Sequence, residues 1–252
     1  MYSRLAKYYD AIYWWKDYSR EVDFLVEVFE RYEAMVKTIL EVACGTGNHT
    51  KIFVRKGYRV TGLDINEEVL KVARKKVGHG AEFVRGDMRD LGESVGGEFD
   101  AVVCLFSAIS YNRTLSELER TIQGFYDHLK AGGVAVFDTH FTKKGFMDGF
   151  RDESVFDDGD VIGARVGVST RRGNLGEISF TYLIKDGRKV ITLRDDVHRL
   201  GLFDAGEFLR ALRRVGFAKT RFYADWSFEK GGPKGQFGDY IFVGQKPRHR
   251  DR

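Results

Sequence analysis

The run Glu41-Val-Ala-Cys-Gly-Thr-Gly47 has the residue types of a loop that lays its backbone against a ligand. Gly45 and Gly47 permit positive φ and a close approach that a side chain would block. Nineteen residues after Gly45 stands Asp64, at the end of the apolar run Tyr58–Asp64. An acidic side chain at that place can accept hydrogen bonds from both hydroxyls of a ribose. A G-x-G pair alone also fits a nicotinamide or flavin dinucleotide. Two features point away from those. The third glycine of the dinucleotide fingerprint is replaced by Thr50, and Glu41 puts a carboxylate beside the loop, where it would repel a pyrophosphate. Glu41 suits a ligand with a cationic end. Asp64 could instead cap the next helix, but Asn66, followed by Glu67 and Glu68, already offers that cap. Cys44 has no neighbour in sequence that would activate a thiol, so it reads as a small loop residue rather than a nucleophile.

Further motifs follow in order. Gly86-Asp-Met-Arg-Asp90 closes a third apolar run, Phe99–Tyr111 reads F-D-A-V-V-C-L-F-S-A-I-S-Y, and Leu129–Asp138 reads L-K-A-G-G-V-A-V-F-D. With the glycine loop they resemble the signatures of class I S-adenosylmethionine-dependent methyltransferases. The resemblance implies S-adenosyl-L-methionine as cofactor. The small residues Ala43, Cys44, Gly45, Thr46 and Gly47 would make room for its methionine moiety, with Glu41 facing the cationic side. Asp64 and its neighbour Ile65 would hold the ribose end. Asp87 would contact the adenine amino group and the Met88 N–H an adenine ring nitrogen, while Leu105 would lie beside the transferred methyl. The opening Y-Y-D-A-I-Y with K-D-Y (8–18), Arg165–Ser169, Arg171–Asn174, H-R-L-G-L-F (198–203) and G-G-P-K-G (231–235) resemble the TDP-amino-sugar N,N-dimethyltransferases. The first half is also similar to small-amine N-methyltransferases.

Carried over residue by residue, this resemblance puts Tyr9 and Tyr18 in a segment that closes over the cofactor, with Tyr2 and Tyr13 as weaker candidates. Tyr111 takes the place where the sugar enzymes carry a Tyr or His near the acceptor amine. His198 matches a histidine that either lines the acceptor pocket or hydrogen-bonds across strands. An amine must be neutral to attack, and Tyr111, His140 or bulk water could take its proton. Two segments depart from the sugar enzymes. Asp138-Thr-His140 stands in place of P-W-W, and G-Q-F-G-D-Y (235–240) lacks their arginine. Both would face the acceptor, so the resemblance does not fix what the acceptor is.

These residues need a frame. Apolar runs at 38–44, 58–64, 81–87, 99–108 and 134–140 alternate with segments of helical periodicity at 19–34, 48–57, 67–78 and 115–133. The last of these is expected to stop at Gly132 and Gly133. Such alternation predicts an α/β fold, a Rossmann-like seven-stranded and mostly parallel sheet with helices on both faces. After His140 the period changes to two, with hairpin turns at Gly173-Asn174 and Asp186-Gly187, which predicts an inserted antiparallel β subdomain of three or more strands. A capped helix from Asp204 to Gly216 and two strands, 220–226 and 238–245, complete the sheet. The expected organisation is 1–140 for the N-terminal lid helices and cofactor-binding half, 141–200 for the insertion, and 201–252 for the remainder. The insertion would serve as a lid or as the interface of a homodimer.

Composition narrows the classes. The chain has 252 residues, 43% hydrophobic and 31% charged, which suits a packed domain rather than a disordered chain. No apolar run approaches the roughly 20 residues that span a bilayer, and the first residues lack a signal peptide's apolar stretch, so a cytoplasmic protein is expected. Two cysteines support neither a disulfide framework nor a zinc site. A net charge of +4 is mildly basic, and the tail KPRHRDR reads as a solvated terminus. A nucleic-acid methyltransferase would carry an N/D-P-P-Y/F block where this chain has S-A-I-S-Y, so a small-molecule methyl acceptor is expected rather than RNA or DNA. A nicotinamide oxidoreductase, an enzyme acting on RNA or a modified nucleoside, and a non-catalytic S-adenosylmethionine-binding protein remain as alternatives.

Overall fold

A computed structural model describes residues 5–235 and 238–248; Tyr2, Gln236, Phe237 and the tail beyond Arg248 lie outside the described residues. In chain order the elements are α1 (Tyr9–Ile12), α2 (Tyr18–Arg31), β1 (Thr38–Val42), α3 (Asn48–Arg55), β2 (Arg59–Asp64), α4 (Glu67–Val77), β3 (Ala81–Arg85), β4 (Phe99–Cys104), α5 (Leu115–Asp127), β5 (Leu129–Thr139), β6 (Arg151–Asp157), β7 (Val161–Arg172), β8 (Leu175–Asp186), β9 (Lys189–Gly201), α6 (Ala205–Val215), β10 (Ala218–Ala224) and β11 (Tyr240–Gln245). Seven strands form one sheet in the order β10-β11-β5-β4-β1-β2-β3. All neighbours pair in parallel except β11, which is antiparallel to both β5 and β10.

The central strands read as unbroken apolar runs because both faces are covered. On one face Leu40, Val102, Ala135, Phe137 and Phe242 pack against Leu118, Ile122 and Phe125 of α5 and Phe208 and Leu212 of α6. On the other, Ile39, Val103, Val134, Val136 and Ile241 meet Val22, Leu25 and Val28 of α2 and Phe53 of α3. Helix ends follow their sequence signals. The Asn66 side chain accepts from Glu68 N–H at the start of α4. Asp204 and Glu207 form a reciprocal capping box on α6, which ends at Gly216 with φ 113°.

One expected boundary is wrong. The fifth helix stops at Asp127, and Gly132 and Gly133 lie inside β5 instead of ending the helix. The His128 ring nitrogens sit 2.8 Å from the Gly124 carbonyl and 3.0 Å from that of Val95, and Leu129 is already fully buried opposite Phe99. The glycines serve a different purpose. A Cβ on Gly133 would come 2.8 Å from the Asp100 carbonyl oxygen, so the glycine lets β5 close against β4 where their register shifts.

The insertion forms a separate four-stranded antiparallel sheet, β6-β7-β8-β9. Its first hairpin turns at Gly173-Asn174 as expected; the second turns at Gly187-Arg188, one residue later, because Asp186 still pairs with Lys189. One face packs on the N-terminal segment, where Leu5, Tyr8, Ile12 and Tyr13 meet Phe156, Phe180, Tyr182 and Leu193. The other exposes Val155, Val166, Val168 and Leu183. Gly201 ties the two sheets together. A Cβ there would lie 2.0 Å from the Asn112 carbonyl oxygen, so only glycine lets the end of β9 rest on the 3-10 turn Ala108–Tyr111. Among the described residues no helix is long and apolar enough to cross a membrane.

Candidate active site

A cavity of about 1120 Å³ opens where β1, β2 and β4 end, between the parallel sheet, the N-terminal segment and the inserted sheet. Ligands of open α/β sheets bind at those carboxyl ends. The volume exceeds the roughly 300–1,000 Å³ of a single drug-sized ligand, which leaves room for two molecules side by side. Tyr9, Tyr18, Ala43, Cys44, Gly45, Thr46, Asp64, Ile65, Asp87, Met88, Leu105, Tyr111 and His140 all line it, as do Tyr13 and His198.

At the glycine-loop end, Gly45 N–H donates to Asp64 Oδ2 and Asn66 N–H to Asp64 Oδ1, both at 2.9 Å. Asp64 therefore fixes the loop and also presents its carboxylate to the cavity. Burial raises its pKa, and the backbone N–H bonds oppose that rise. Asp87 accepts from Arg89 Nε at 2.9 Å and Nη2 at 2.5 Å, and this pairing holds its carboxyl below the usual range. Cys44 is packed under Gly62, and burial pushes its thiol up, away from reactivity.

Two residues expected at the cofactor do not line the cavity. Glu41 is buried behind the loop, where Thr50 Oγ1 donates to its Oε2 at 2.5 Å and His49 lies 3.9 Å away. Gly47 caps α3 with φ 77°, and a Cβ there would come 3.1 Å from Ala73 on α4, so it serves the packing of loop on helix. Burial raises the Glu41 carboxyl to about 8. Its folded pKa thus exceeds the unfolded value of 4.5, and stability falls as pH rises between those values. Glu41→Gln should remove that slope, up to roughly 1.4 kcal/mol per pH unit. Urea denaturation at pH 5 and pH 8 checks it; equal slopes in both proteins would refute the buried-acid assignment.

The N-terminal segment is latched to the loop by a residue the sequence did not single out. Asp10 accepts from Thr46 Oγ1 at 2.7 Å and Asn48 Nδ2 at 3.0 Å, and pairs with Lys76 at 2.7 Å. Behind it, Glu21 takes both Lys16 and His49, the latter at 2.7 Å. The Tyr9 ring lies 4.8 Å from that of Tyr13, and burial raises its hydroxyl well above the ordinary tyrosine range.

The opposite end gathers proton-carrying groups. Tyr111 Oη lies 2.5 Å from His198 Nδ1, and His198 Nε2 lies 3.0 Å from Asp196 Oδ2. Nearby, His140 Nδ1 is 3.0 Å from Ser107 Oγ and 3.4 Å from Asp239 Oδ1, and Asp239 accepts from Trp226 Nε1 at 2.8 Å. Asp138 is buried beneath Ser107, and burial raises its carboxyl well above the ordinary range. From the inserted sheet Arg165 reaches the cavity, paired at 2.5 Å with Asp152 and lying 4.7 Å over the Phe180 ring.

A methyltransferase-domain family model matches residues 39–133. The chain is 32% identical over 242 residues to the dTDP-3-amino-3,4,6-trideoxy-alpha-D-glucopyranose N,N-dimethyltransferase of Streptomyces venezuelae, covering 95% of this chain and 96% of that one. It superposes on the crystal structure of Streptomyces venezuelae DesVI with a TM-score of 0.81 at 30% identity over 94% of each chain. The same comparison with CalS10, an amino pentose methyltransferase from Micromonospora echinaspora solved with SAM bound, gives a TM-score of 0.76 at 26% identity over 92% of each chain. The chain belongs to the S-adenosylmethionine-dependent methyltransferases. S-adenosyl-L-methionine is therefore its cofactor, and the nicotinamide reading of the G-x-G pair falls away.

The methyltransferase's own residues fit that group. Gly45 has φ 56°, and a Cβ built on it would meet nothing within 4 Å, so its bare face opens on the cavity. Asp64 stands beside it, and Ile65 leaves 59% of its surface exposed at the same rim. A carboxylate for hydroxyls, an open glycine for close approach and an exposed apolar face together match a ribose flanked by an adenine ring. Asp239 escaped the sequence reading although it stands in a segment noted as departing from the sugar enzymes. Asp10 had no local signal, because it acts on Thr46 across 36 residues of chain; Arg89 and Asp196 act on Asp87 and His198 two residues away and were not singled out.

Proposed function

We propose that this methyltransferase transfers a methyl group to the nitrogen of a small amine, an amino sugar or an amine of comparable size. The observation that carries the reading is Tyr111. Its hydroxyl, backed by His198, shares one cavity with the glycine loop and Asp64. The relatives named above, which act on amino sugars or an amino pentose, support the same class of acceptor.

In this reading Asp64 holds the ribose hydroxyls, Ile65, Asp87 and Met88 border the adenine, and Ala43 to Thr46 leave room for the methionine chain. Leu105 abuts the reacting end, with Tyr9 and Tyr18 covering it. Bound S-adenosylmethionine supplies an activated methyl on a sulfonium. The protein's part is to align the acceptor nitrogen, exclude water and manage one proton. Alignment of this kind supplies roughly 7–11 kcal/mol of a barrier. The amine must present a free electron pair, so Tyr111 Oη orients it and takes its proton, with His140 beside Asp239 as a second acceptor of protons. Tyrosine oxygens and the Asp239 carboxylate suit the positive charge that grows on nitrogen.

Isothermal titration with S-adenosylmethionine, S-adenosylhomocysteine and NADH, followed by turnover on a panel of nucleotide-linked amino sugars and small amines, tests the reading. The expected result is micromolar binding of the two adenosyl ligands, no binding of NADH and an N-methylated product. Turnover on hydroxyl or carbon acceptors alone would overturn the amine assignment.

A further inference from the structure

We propose that Asp196 is a positioning residue: it holds His198 in the tautomer protonated on Nε2, so that His198 Nδ1 is the proton acceptor standing behind Tyr111. The proposal rests on the reading above that Tyr111 meets the acceptor amine.

The hydrogen bonds set the direction. An ionised carboxylate only accepts, so Asp196 Oδ2, 3.0 Å from His198 Nε2, requires the proton on that nitrogen. Tyr182 Oη donates to the same carboxylate oxygen at 3.4 Å. His198 Nδ1 is then a lone pair, and the Tyr111 hydroxyl 2.5 Å away donates to it. As donor to His198, the Tyr111 hydroxyl can in turn accept from an N–H in the cavity. His198 and Asp196 keep only 5% and 10% of their side-chain surface exposed, so the arrangement is shielded from exchange with bulk water.

A second, independent observation is the shape of β9. Phe180 pairs with Asp196 but Tyr182 pairs with Leu193, so two residues of β9, Arg194 and Asp195, oppose the single Thr181 of β8. Asp195, in that stretch, has φ 59°. Leu193 faces inward with Phe180 and Tyr182. In an unbulged strand, positions 195 and 197 would share its face, and Asp196 and His198 would point away. The extra residue reverses the phase and turns both toward Tyr111. Bulges that re-aim side chains and non-glycine residues held at positive φ concentrate beside functional sites.

The proton step balances. An N–H bond of the protonated amine breaks and its electron pair stays on nitrogen. An O–H bond forms on Tyr111 as Tyr111's own proton passes to His198 Nδ1. His198 becomes an imidazolium beside the Asp196 carboxylate and returns the proton to water after release of the product.

The experiment is ¹⁵N NMR of the histidine ring nitrogens in the full chain bound to S-adenosylhomocysteine, with Asp196→Asn as the variant. The wild-type spectrum should show His198 protonated on Nε2, and the variant should show the proton moved to Nδ1, since the asparagine amide can donate to Nε2. In turnover, Asp196→Asn should lower kcat by roughly 10- to 100-fold with the KM for S-adenosylmethionine unchanged. In a Tyr111→Phe background it should cost less than about twofold more. A wild-type His198 protonated on Nδ1, or an equal loss with and without the Tyr111 hydroxyl, would overturn the proposal. The wild-type spectrum needs no variant to fold and no acceptor. A correct tautomer with no amine methylated would therefore count against the amine reading and leave the positioning role of Asp196 standing.

Discussion

Asp64→Ala is expected to weaken binding of S-adenosylmethionine and S-adenosylhomocysteine by about 100-fold or more. Each hydrogen bond to a charged group is worth about 1.5–3 kcal/mol, and two ribose hydroxyls on one carboxylate sum to about 3 kcal/mol at the least. A second loss adds to this. Gly45 N–H and Asn66 N–H both donate to Asp64, so the alanine variant also frees the loop that must approach the ligand. Asp64→Asn keeps one acceptor oxygen and should fall between. Isothermal titration of both adenosyl ligands reads the effect, and thermal denaturation checks that the variant is folded. Binding within threefold of wild type would mean that Asp64 is only a structural brace for the loop.

Tyr111→Phe is expected to lower kcat with the amine acceptor by about 100-fold, at unchanged affinity for the cofactor. The substitution keeps the ring that packs beside Phe146, Leu200 and Leu202 and removes only the hydroxyl. Loss of a positioned proton acceptor costs roughly 10²–10⁴ in rate. His198 also loses the Tyr111 hydroxyl at Nδ1. Single-turnover measurement, with the cofactor saturating, isolates the transfer step. Intact turnover in Tyr111→Phe would move the proton-accepting role to His140 and Asp239, and His140→Ala would then carry the loss.

The cofactor half was legible in the sequence because its signals are local. A glycine loop follows a buried strand, an acid ends the next strand, and each lies within a few residues of the turn it controls. Gly45 and Asp64, singled out on those signals, do line the cavity, as does Met88, which the resemblance supplied. Glu41 misled for a physical reason. Adjacency to the loop along the chain does not say whether a side chain reaches the cavity, and Glu41 instead packs between β1 and α3, against Thr50. The boundary after α5 misled similarly, since Gly132 and Gly133 serve a close contact between strands that sequence spacing does not reveal. The acceptor end was least legible. Tyr111 and His198 are 87 residues apart, and a bulge sets the phase of the strand that joins them. Alternation counted along β9 would put His198 on the wrong face.

The N-terminal segment has a kinetic consequence. Asp10 is bonded to Thr46 and Asn48 at the glycine loop, while Tyr8, Ile12 and Tyr13 of the same short stretch are packed into the inserted sheet. One piece of chain therefore touches both the glycine-loop end of the cavity and the inserted sheet, and neither end opens without disturbing the other. Binding at the glycine loop is therefore expected to change how fast a second ligand enters at the inserted-sheet end, which the association rate of an amine acceptor with and without S-adenosylhomocysteine reads.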